Sequence, residues 1–406
     1  MTVKTKPILI IGAGISGLAI ARQLSNHGIP NIVFEASGPD RSQGFAISLR
    51  EWGYEALLSA LGDLPVRSLT RRVAPDRHLG GSGWIDQALR DNTTSELLVA
   101  PEQDSKQNII RANRNALREW LKDCGEVELD VRHEHKLTSF RGEIGNVTAE
   151  FENGARYDGS LLVAADGVHS RVRSLILPEV KVETVPVVVF HGEFSLTKDE
   201  FDTTIKPLAG ESNILAGVGD GFNTPITICD IDPHHAHLDW SYSRPLNGDD
   251  DPLFWRDITP EQARQVPQAL IDEIASRNLA PPWSQFLNAD AIGSHRVFNW
   301  LSRCVSISRG DLGVGIKNGV VFVGDSWHAM PIFGGEGGNH ALLDTIELSQ
   351  TLVDYGNDFR EAIDKYYSVA FKRCQEAVKR SRQRFFLLHR SMAEWREISD
   401  KRHYSR

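Results

Sequence analysis

The chain has 406 residues, 41% hydrophobic and 24% charged, with 34 Gly and 18 Pro. That composition excludes a disordered, collagen-like or disulfide-stapled chain, and the length suggests two or three domains or one large fold with insertions. The formal charge is −9, which argues against nonspecific nucleic-acid binding, but it is uneven: residues 371–406 carry +7 and the other 370 residues −16.

The N-terminal run Pro7 to Ile11 follows Lys4 and Lys6 and superficially looks like a signal peptide. It breaks at once into Gly12-Ala-Gly14, with no cleavage region after it, and reads as a buried strand. Gly12-x-Gly14-x-x-Gly17 then opens a helical pattern from Leu18 to Leu24, and a second strand, Asn31 to Glu35, ends on an acid. This is a complete β-α-β unit for an adenine dinucleotide. Gly12 permits the tight turn, Gly14 lets backbone approach a pyrophosphate, and Gly17 lets helix pack on strand. The helix N-terminus offers unpaired N–H groups to the phosphates. Glu35, followed by Ala36, is spaced to bind ribose hydroxyls and disfavours a 2′-phosphate.

Further along, Leu161 to Ala165 is another buried-strand run, ending in Asp166-Gly167-x-x-Ser170-x-x-Arg173. Residues 145–152 and 155–163 read as a hairpin about Asn153-Gly154. After Pro178 the pattern changes. Val185–Phe190, Ile226–Asp230 and His237–Tyr242 alternate as strands, and Pro260 through Ile274 reads as a helix. Val320 to Val323 is a third buried strand. It ends in Gly324-Asp325-x-x-His328-x-x-Pro331, then a glycine loop to Gly337-Gly338-Asn339 and a helix from His340. That is a second helix N-terminus suited to an anion or carbonyl. Asp358 to Ile398 reads as one or two helices whose apolar side carries Phe371, Cys374, Val378, Phe385, Leu388 and Met392. A membrane-surface or partner helix is the alternative, from the basic face of Lys379, Arg380, Arg382, Arg384 and Arg390.

Together, the Gly12/Gly14/Gly17, Asp166-Gly167 and Gly324-Asp325 motifs resemble the single-component, aromatic-hydroxylase-like FAD-dependent monooxygenases. The segment Asn113-Arg114 through Leu121 is similar to tetracycline-modifying members, and Met330 through His340 to fungal members that tailor secondary metabolites. The resemblance covers about residues 7–175 and 290–355. It implies an α/β fold: a Rossmann-like FAD-binding domain of the glutathione-reductase type, interleaved with a substrate domain on an antiparallel sheet, plus a C-terminal helix. The expected boundaries are 1–66, 111–175 and 290–355 for FAD, 67–110 and 176–289 for substrate, and 356–406 for the bracing helix.

The family also implies roles. Arg114 would sit at the FAD phosphate or ribityl side, with Arg111 its rival. Asp325 would meet the ribityl chain, near Pro331. Gly337, Gly338 and Asn339 would approach the flavin ring, and Ala46 would place backbone against FAD. Arg41 is a further phosphate or flavin contact. Asp166 and Arg173 would act through structure and nicotinamide docking. Candidate substrate-facing residues are Phe190, His191, Phe222, Trp240, Tyr242 and Phe298. His191 could deprotonate a phenol, Arg296 could bind a carboxylate or phenolate, and His328 could be a flavin-side group or a satisfied core histidine. Two departures stand out: Ser326-Trp327 replaces the common Ala-Ala, and Glu336, in place of a Gln-type residue, would either tune the flavin or face solvent.

The implied reaction uses NADPH or NADH and O2 to insert one oxygen atom into an electron-rich small molecule through a flavin C4a-hydroperoxide. Epoxidation or rearrangement, a flavin oxidase or reductase, and an FAD-fold binding protein are the rivals. No metal, nucleic acid or transmembrane segment is expected; the four cysteines lie far apart, fitting a reducing, cytoplasmic setting. A monomer or weak dimer is expected.

Overall fold

Strand segments such as Ile-Leu-Ile-Ile and Leu-Leu-Val-Ala are apolar on both sides, and such runs are stable only between two covering layers. A computed structural model describes residues 6–40, 45–100, 108–256 and 258–404. In chain order the principal elements are β1 (Ile8–Ile11), α1 (Ile15–Asn26), β2 (Asn31–Phe34), β3 (Ile47–Arg50), β4 (Ile109–Ala112), α2 (Arg114–Asp123), β5 (Val131–Arg132), β6 (Leu161–Ala164), α3 (Arg171–Ile176), β7 (Val187–Thr197), β8 (Ile226–Ile231), β9 (His235–Pro245), α4 (Gln268–Ser276), β10 (Arg296–Asn299), β11 (Val320–Phe322), α5 (Asp325–His328), α6 (Gly337–Tyr355), α7 (Phe359–Leu388) and α8 (Met392–Tyr404).

One sheet is parallel, in the order β11-β6-β1-β2-β5, with Ile8 opposite both Asn31 and Leu161. Its strands come from both ends of the chain. Helix α1 packs on α6, where Gln23 Nε2 donates to Thr345 Oγ1 and Ser349 Oγ donates to Gln23 Oε1. The second large sheet is antiparallel and contains β8-β9-β7-β10, with a short fifth strand, Ile214–Leu215, at its edge. Its backbone is the long β7–β9 pair, in register from Val187 opposite Pro245 to Thr197 opposite His235.

Two local expectations shift. Residues 146–151 and 156–159 form the hairpin, but Leu161–Ala164 leaves it for the parallel sheet, because Ser160 N instead bonds Pro7 O at 2.9 Å. The expected helix from Pro260 starts only at Gln268, after a short turn at Gln262–Arg264. Pro267 cannot donate within a helix, and it becomes the N-cap. At the C-terminus, of the one or two helices expected, two form, and α7 runs unbroken for 30 residues.

Helix α7 spans the gap between the sheets. Tyr366 donates to Phe322 O and Tyr367 accepts from Phe322 N, tying it to β11. Val378 and Phe385 pack against Val185, Val187 and Val189, at the base of the antiparallel sheet. Trp395 of α8 packs on Leu98, Val99 and Val218. The basic face is ion-paired at several points: Arg382 to Glu183, Arg384 to Glu336 at 2.7 Å and Arg380 to Glu336 at 3.9 Å. No helix of the described residues is long and apolar enough to cross a membrane.

Candidate active site

The β1–α1 turn is shaped by glycine at two points. Gly12 has φ +104°, and a Cβ there would lie 2.5 Å from Ala165 O; a Cβ on Gly17 would lie 1.8 Å from Gly12 O. A Cβ on Gly14 would meet nothing within 4 Å, so Gly14 faces open space at the N-terminus of α1, as a phosphate cradle requires. Glu35 is 8% exposed and accepts from Ala13 N and Ser37 N, both at 3.0 Å. One carboxylate therefore ties the chain leaving β2 to the β1–α1 turn, while Ala36 beside it is exposed. The sequence reading passed over Arg118, whose Nε donates to Ala13 O at 2.9 Å. Arg114 lies one turn earlier, on the same face of α2, at the first helical position after the N-cap Asn113. Arg41 lies outside the described residues.

The second motif works as a joint. Asp166 Oδ2 accepts from Arg171 N at 2.7 Å and Val172 N at 3.1 Å, capping α3 together with Ser170, and burial pushes its carboxyl upward. Arg173 is 3% exposed and donates to Ser326 O and Val168 O, which ties this motif to the third. Its cation is spent on backbone carbonyls, so the expected nicotinamide-docking role is not supported by its position.

In the third motif Ser326, Trp327 and His328 are buried while Asp325 is exposed. A Cβ on Gly337 would lie 3.6 Å from Met330 Cγ and 4.0 Å from Asp325 Oδ1, and one on Gly338 would lie 3.4 Å from Ile47 Cδ1. Asp325, Gly337, Gly338 and Ile47, next to buried Ala46, thus border one space at the start of α6. The first N–H groups of a helix have no intrahelical partner, and here they belong to residues without side chains. Asn339 serves the loop itself: its Oδ1 accepts from Arg50 N at 2.8 Å and its Nδ2 donates to Ser48 O and Gly335 O. Buried Pro331 offers its carbonyl to Ser381 of α7.

In this motif the structure decides between the two readings of His328 and corrects the one for Glu336. His328 is a core histidine. Its Nε2 lies 2.5 Å from Asp344 Oδ2, and Arg373 binds the other carboxylate oxygen at 2.9 Å. Burial opposes its charge, but Cys374 and Asp344 hold the imidazole well above its ordinary value. The side chain, at the C-terminal end of α5, is 2% exposed and enclosed in the core. Glu336 neither faces solvent nor stands free beside a flavin. It is held by Arg384 at 2.7 Å, Arg50 at 3.5 Å and His340 at 3.8 Å. Burial works against its charge, yet those partners pull its carboxyl down to about 2.

The antiparallel sheet overturns four substrate candidates. Strand side chains alternate between faces. Phe190, opposite Tyr242, and Trp240, opposite Gly192, point into an apolar core with Phe222, Leu270, Ile274 and Trp283. Tyr242 donates to Glu273 in a buried network with Arg244 and Asp251. Phe190, Phe222, Trp240 and Tyr242 are therefore fold residues. His191 and Phe298, paired across β7 and β10, occupy the other face. There they meet Phe45: ring centroids lie 5.1 Å from His191 and 6.2 Å from Phe298, with Trp300 5.6 Å away. Phe45 and Trp300 were missed. Arg296 is 66% exposed, pairs with Glu193 at 3.2 Å and lies over Phe298 at 4.7 Å, so it stands at the rim of this aromatic group.

The chain therefore has a nucleotide-type cradle, an α6 N-terminus of glycines, and an aromatic wall against which Phe45 packs. The family of FAD binding domains matches residues 5–288. A FAD-dependent monooxygenase of Aspergillus niger, adaC, is 65% identical over 401 residues, 98% of this chain and 97% of that protein. This chain belongs to the FAD-dependent monooxygenases. It is an enzyme of that family by sequence, and its fold is the family's too. Klebsiella pneumoniae HpxO, solved with FAD and uric acid, superposes with a TM-score of 0.71 at 20% identity, over 97% of this chain and 91% of that one. The tetracycline destructase Tet(55) gives 0.69 at 18% identity, over 95% and 90%.

The residues present fit FAD. Open space at Gly14, the buried carboxylate at Glu35 and the exposed Asp325 beside Gly337 are what a dinucleotide with a flavin head requires.

Proposed function

We propose that this protein is an NAD(P)H- and O2-dependent FAD monooxygenase that oxygenates a small, electron-rich aromatic molecule, as a secondary-metabolite tailoring step in the cytoplasm. The reading rests above all on the aromatic face of His191, Phe298, Phe45 and Trp300. The segment that carries Phe45 leads into Ile47, which borders the α6 N-terminus. The interleaved domain assignment follows: residues 1–66, 111–175 and 290–355 hold FAD, 67–110 and 176–289 form the substrate side, and 356–406 brace both.

Bound FAD supplies the redox chemistry, taking electrons from a nicotinamide and activating oxygen. The chain's own residues bind and orient. Gly14 and the α1 N-terminus take the pyrophosphate, helped by Arg114. Asp325 takes a ribityl hydroxyl. The N–H groups of Gly337 and Gly338 would favour negative charge on a group bound at the α6 N-terminus. Phe45, Phe298 and Trp300 hold a planar substrate and exclude water.

The test is turnover of FAD-loaded protein with NADPH or NADH and a panel of phenols and polyketide aromatics under 18O2. One labelled oxygen atom in the product is expected. Stoichiometric hydrogen peroxide with unlabelled organic material throughout would replace this reading with a flavin oxidase.

A further inference from the structure

The carboxylate of Asp344, in the second turn of α6, is wholly buried and gathers donors from two other elements. Its Oδ2 accepts from Gly324 N at 2.7 Å, Trp327 Nε1 at 3.2 Å and His328 Nε2 at 2.5 Å, all at the β11–α5 junction. Its Oδ1 accepts from Arg373 of α7 at 2.9 Å and from Cys374 Sγ at 3.5 Å. Arg373 also donates to His340 O at 3.4 Å and to Glu347 Oε2 at 2.5 Å, so one guanidinium grips α6 at three places on one face. His328, Asp344 and Cys374 are residue types that bind metals. Here the Arg373 cation already occupies the carboxylate and lies 3.4 Å from the thiol, and its charge opposes a second cation.

Gly324 stands where three pieces of the FAD cradle meet. Its φ is +60°, and a Cβ there would lie 2.6 Å from Ser16 Oγ of α1 and 3.1 Å from Ala341 Cβ of α6. The next residue is Asp325, the exposed carboxylate that borders Gly337. Gly324 brings no side chain to the α5 N-terminus, and its N–H goes to Asp344. A bond from an N–H to a carboxylate is roughly twice as strong as one between neutral groups. A carboxylate held at one oxygen can still turn about its Cβ–Cγ bond; held at both, it cannot. Arg373 therefore fixes Asp344, Asp344 fixes Gly324, and Gly324 sets the direction of Asp325. The contacts are continuous from α7 to the flavin side of the site. Arg373 lies beyond residues 5–288, the part of the chain that the FAD-binding family matches.

We infer that Arg373 and Asp344 are positioning residues for FAD, and that the C-terminal helix α7 is thereby energetically coupled to the cofactor through the Gly324–Asp325 turn. Coupling of this kind is reciprocal. If α7 tightens FAD binding, bound FAD must tighten α7. The inference rests on the FAD site of the reading above, with Asp325 as the ribityl contact.

The test titrates FAD and ADP into the FAD-depleted full-length chain, followed by flavin fluorescence and by calorimetry. ADP carries the pyrophosphate end and lacks the flavin and ribityl chain. Arg373→Met should weaken FAD at least tenfold and leave ADP within twofold of wild type. Arg373→Lys, which keeps the charge and loses the fork, should weaken FAD about threefold, so the test survives if the Met variant folds poorly. In an Asp325→Ala background Arg373→Met should cost FAD less than twofold more, because the residue it acts through is gone. Loading the wild type with FAD should slow amide hydrogen exchange across residues 370–381, and loading Arg373→Met should not. Equal weakening of FAD and ADP, the full tenfold loss repeated in the Asp325→Ala background, wild-type FAD affinity in both Arg373 variants, or exchange in α7 indifferent to FAD would each overturn the coupling. Any of those results alongside FAD binding by the wild type leaves the monooxygenase reading standing. That reading fails separately, on oxygen incorporation.

Discussion

Glu336→Gln separates an electrostatic clamp from a flavin-tuning acid. The Glu336 carboxylate is 10% exposed and stands among Arg384, Arg50, His340 and Arg380, at 2.7 to 3.9 Å. Its pKa falls from an ordinary 4.5 to about 2. At about 1.4 kcal/mol per unit, that is about 3 kcal/mol of folded-state stabilisation. A depressed carboxylate contributes fully above its unfolded pKa and loses its contribution as pH falls through its folded one. The stability gap between wild type and Glu336→Gln should therefore be full at pH 5–7, smaller by about 1.4 kcal/mol at pH 3.5, and nearly closed by pH 2. Urea unfolding of both proteins between pH 7 and 3.5, followed by fluorescence and by far-ultraviolet circular dichroism, measures the gap. The variant loses the link between the glycine loop and α7, so protease cleavage within residues 371–404 should also quicken. A gap below about 1 kcal/mol at pH 7, or one unchanged down to pH 3.5, would refute the clamp.

Gly17→Ala should abolish FAD binding more severely than it unfolds the protein. Its Cβ would lie 1.8 Å from a backbone oxygen, so strand and helix must separate at the cradle. Flavin absorbance retained after gel filtration should fall at least tenfold while most of the circular dichroism signal survives. Asp344→Asn should destabilise the protein by about 3–5 kcal/mol, because it leaves Arg373 and a protonated His328 facing each other without their shared carboxylate. The Asp344 pKa is depressed, so this loss should be present at pH 7 and shrink as the medium becomes acidic enough to protonate the wild-type carboxylate; thermal unfolding at several pH values checks it.

The parts legible in the sequence were those that local chemistry dictates. Gly12, Gly14 and Gly17 announce a turn, an approach and a crossing because only a missing Cβ permits each, and the strand that precedes them is apolar on both sides. The glycine loop before α6 is legible for the same reason. Which face a strand presents was not. In β7, Phe190 and His191 are neighbours in sequence and both suit a substrate wall, but only the pairing with β9 and β10 decides that Phe190 joins the core and His191 the opposite, aromatic face. Partners distant in sequence were equally hidden. Asp344 sits inside a helix with no motif around it, yet its carboxylate turns His328 into a core residue. The +7 tail could be counted in the sequence, but its meaning depended on where Glu183 and Glu336 lie. Sequence by itself determined the backbone shapes that glycine and apolar runs force. Tertiary structure decided the environment of every charge and ring, because burial and partners are set by residues as far as 326 positions away, as between Gln23 and Ser349.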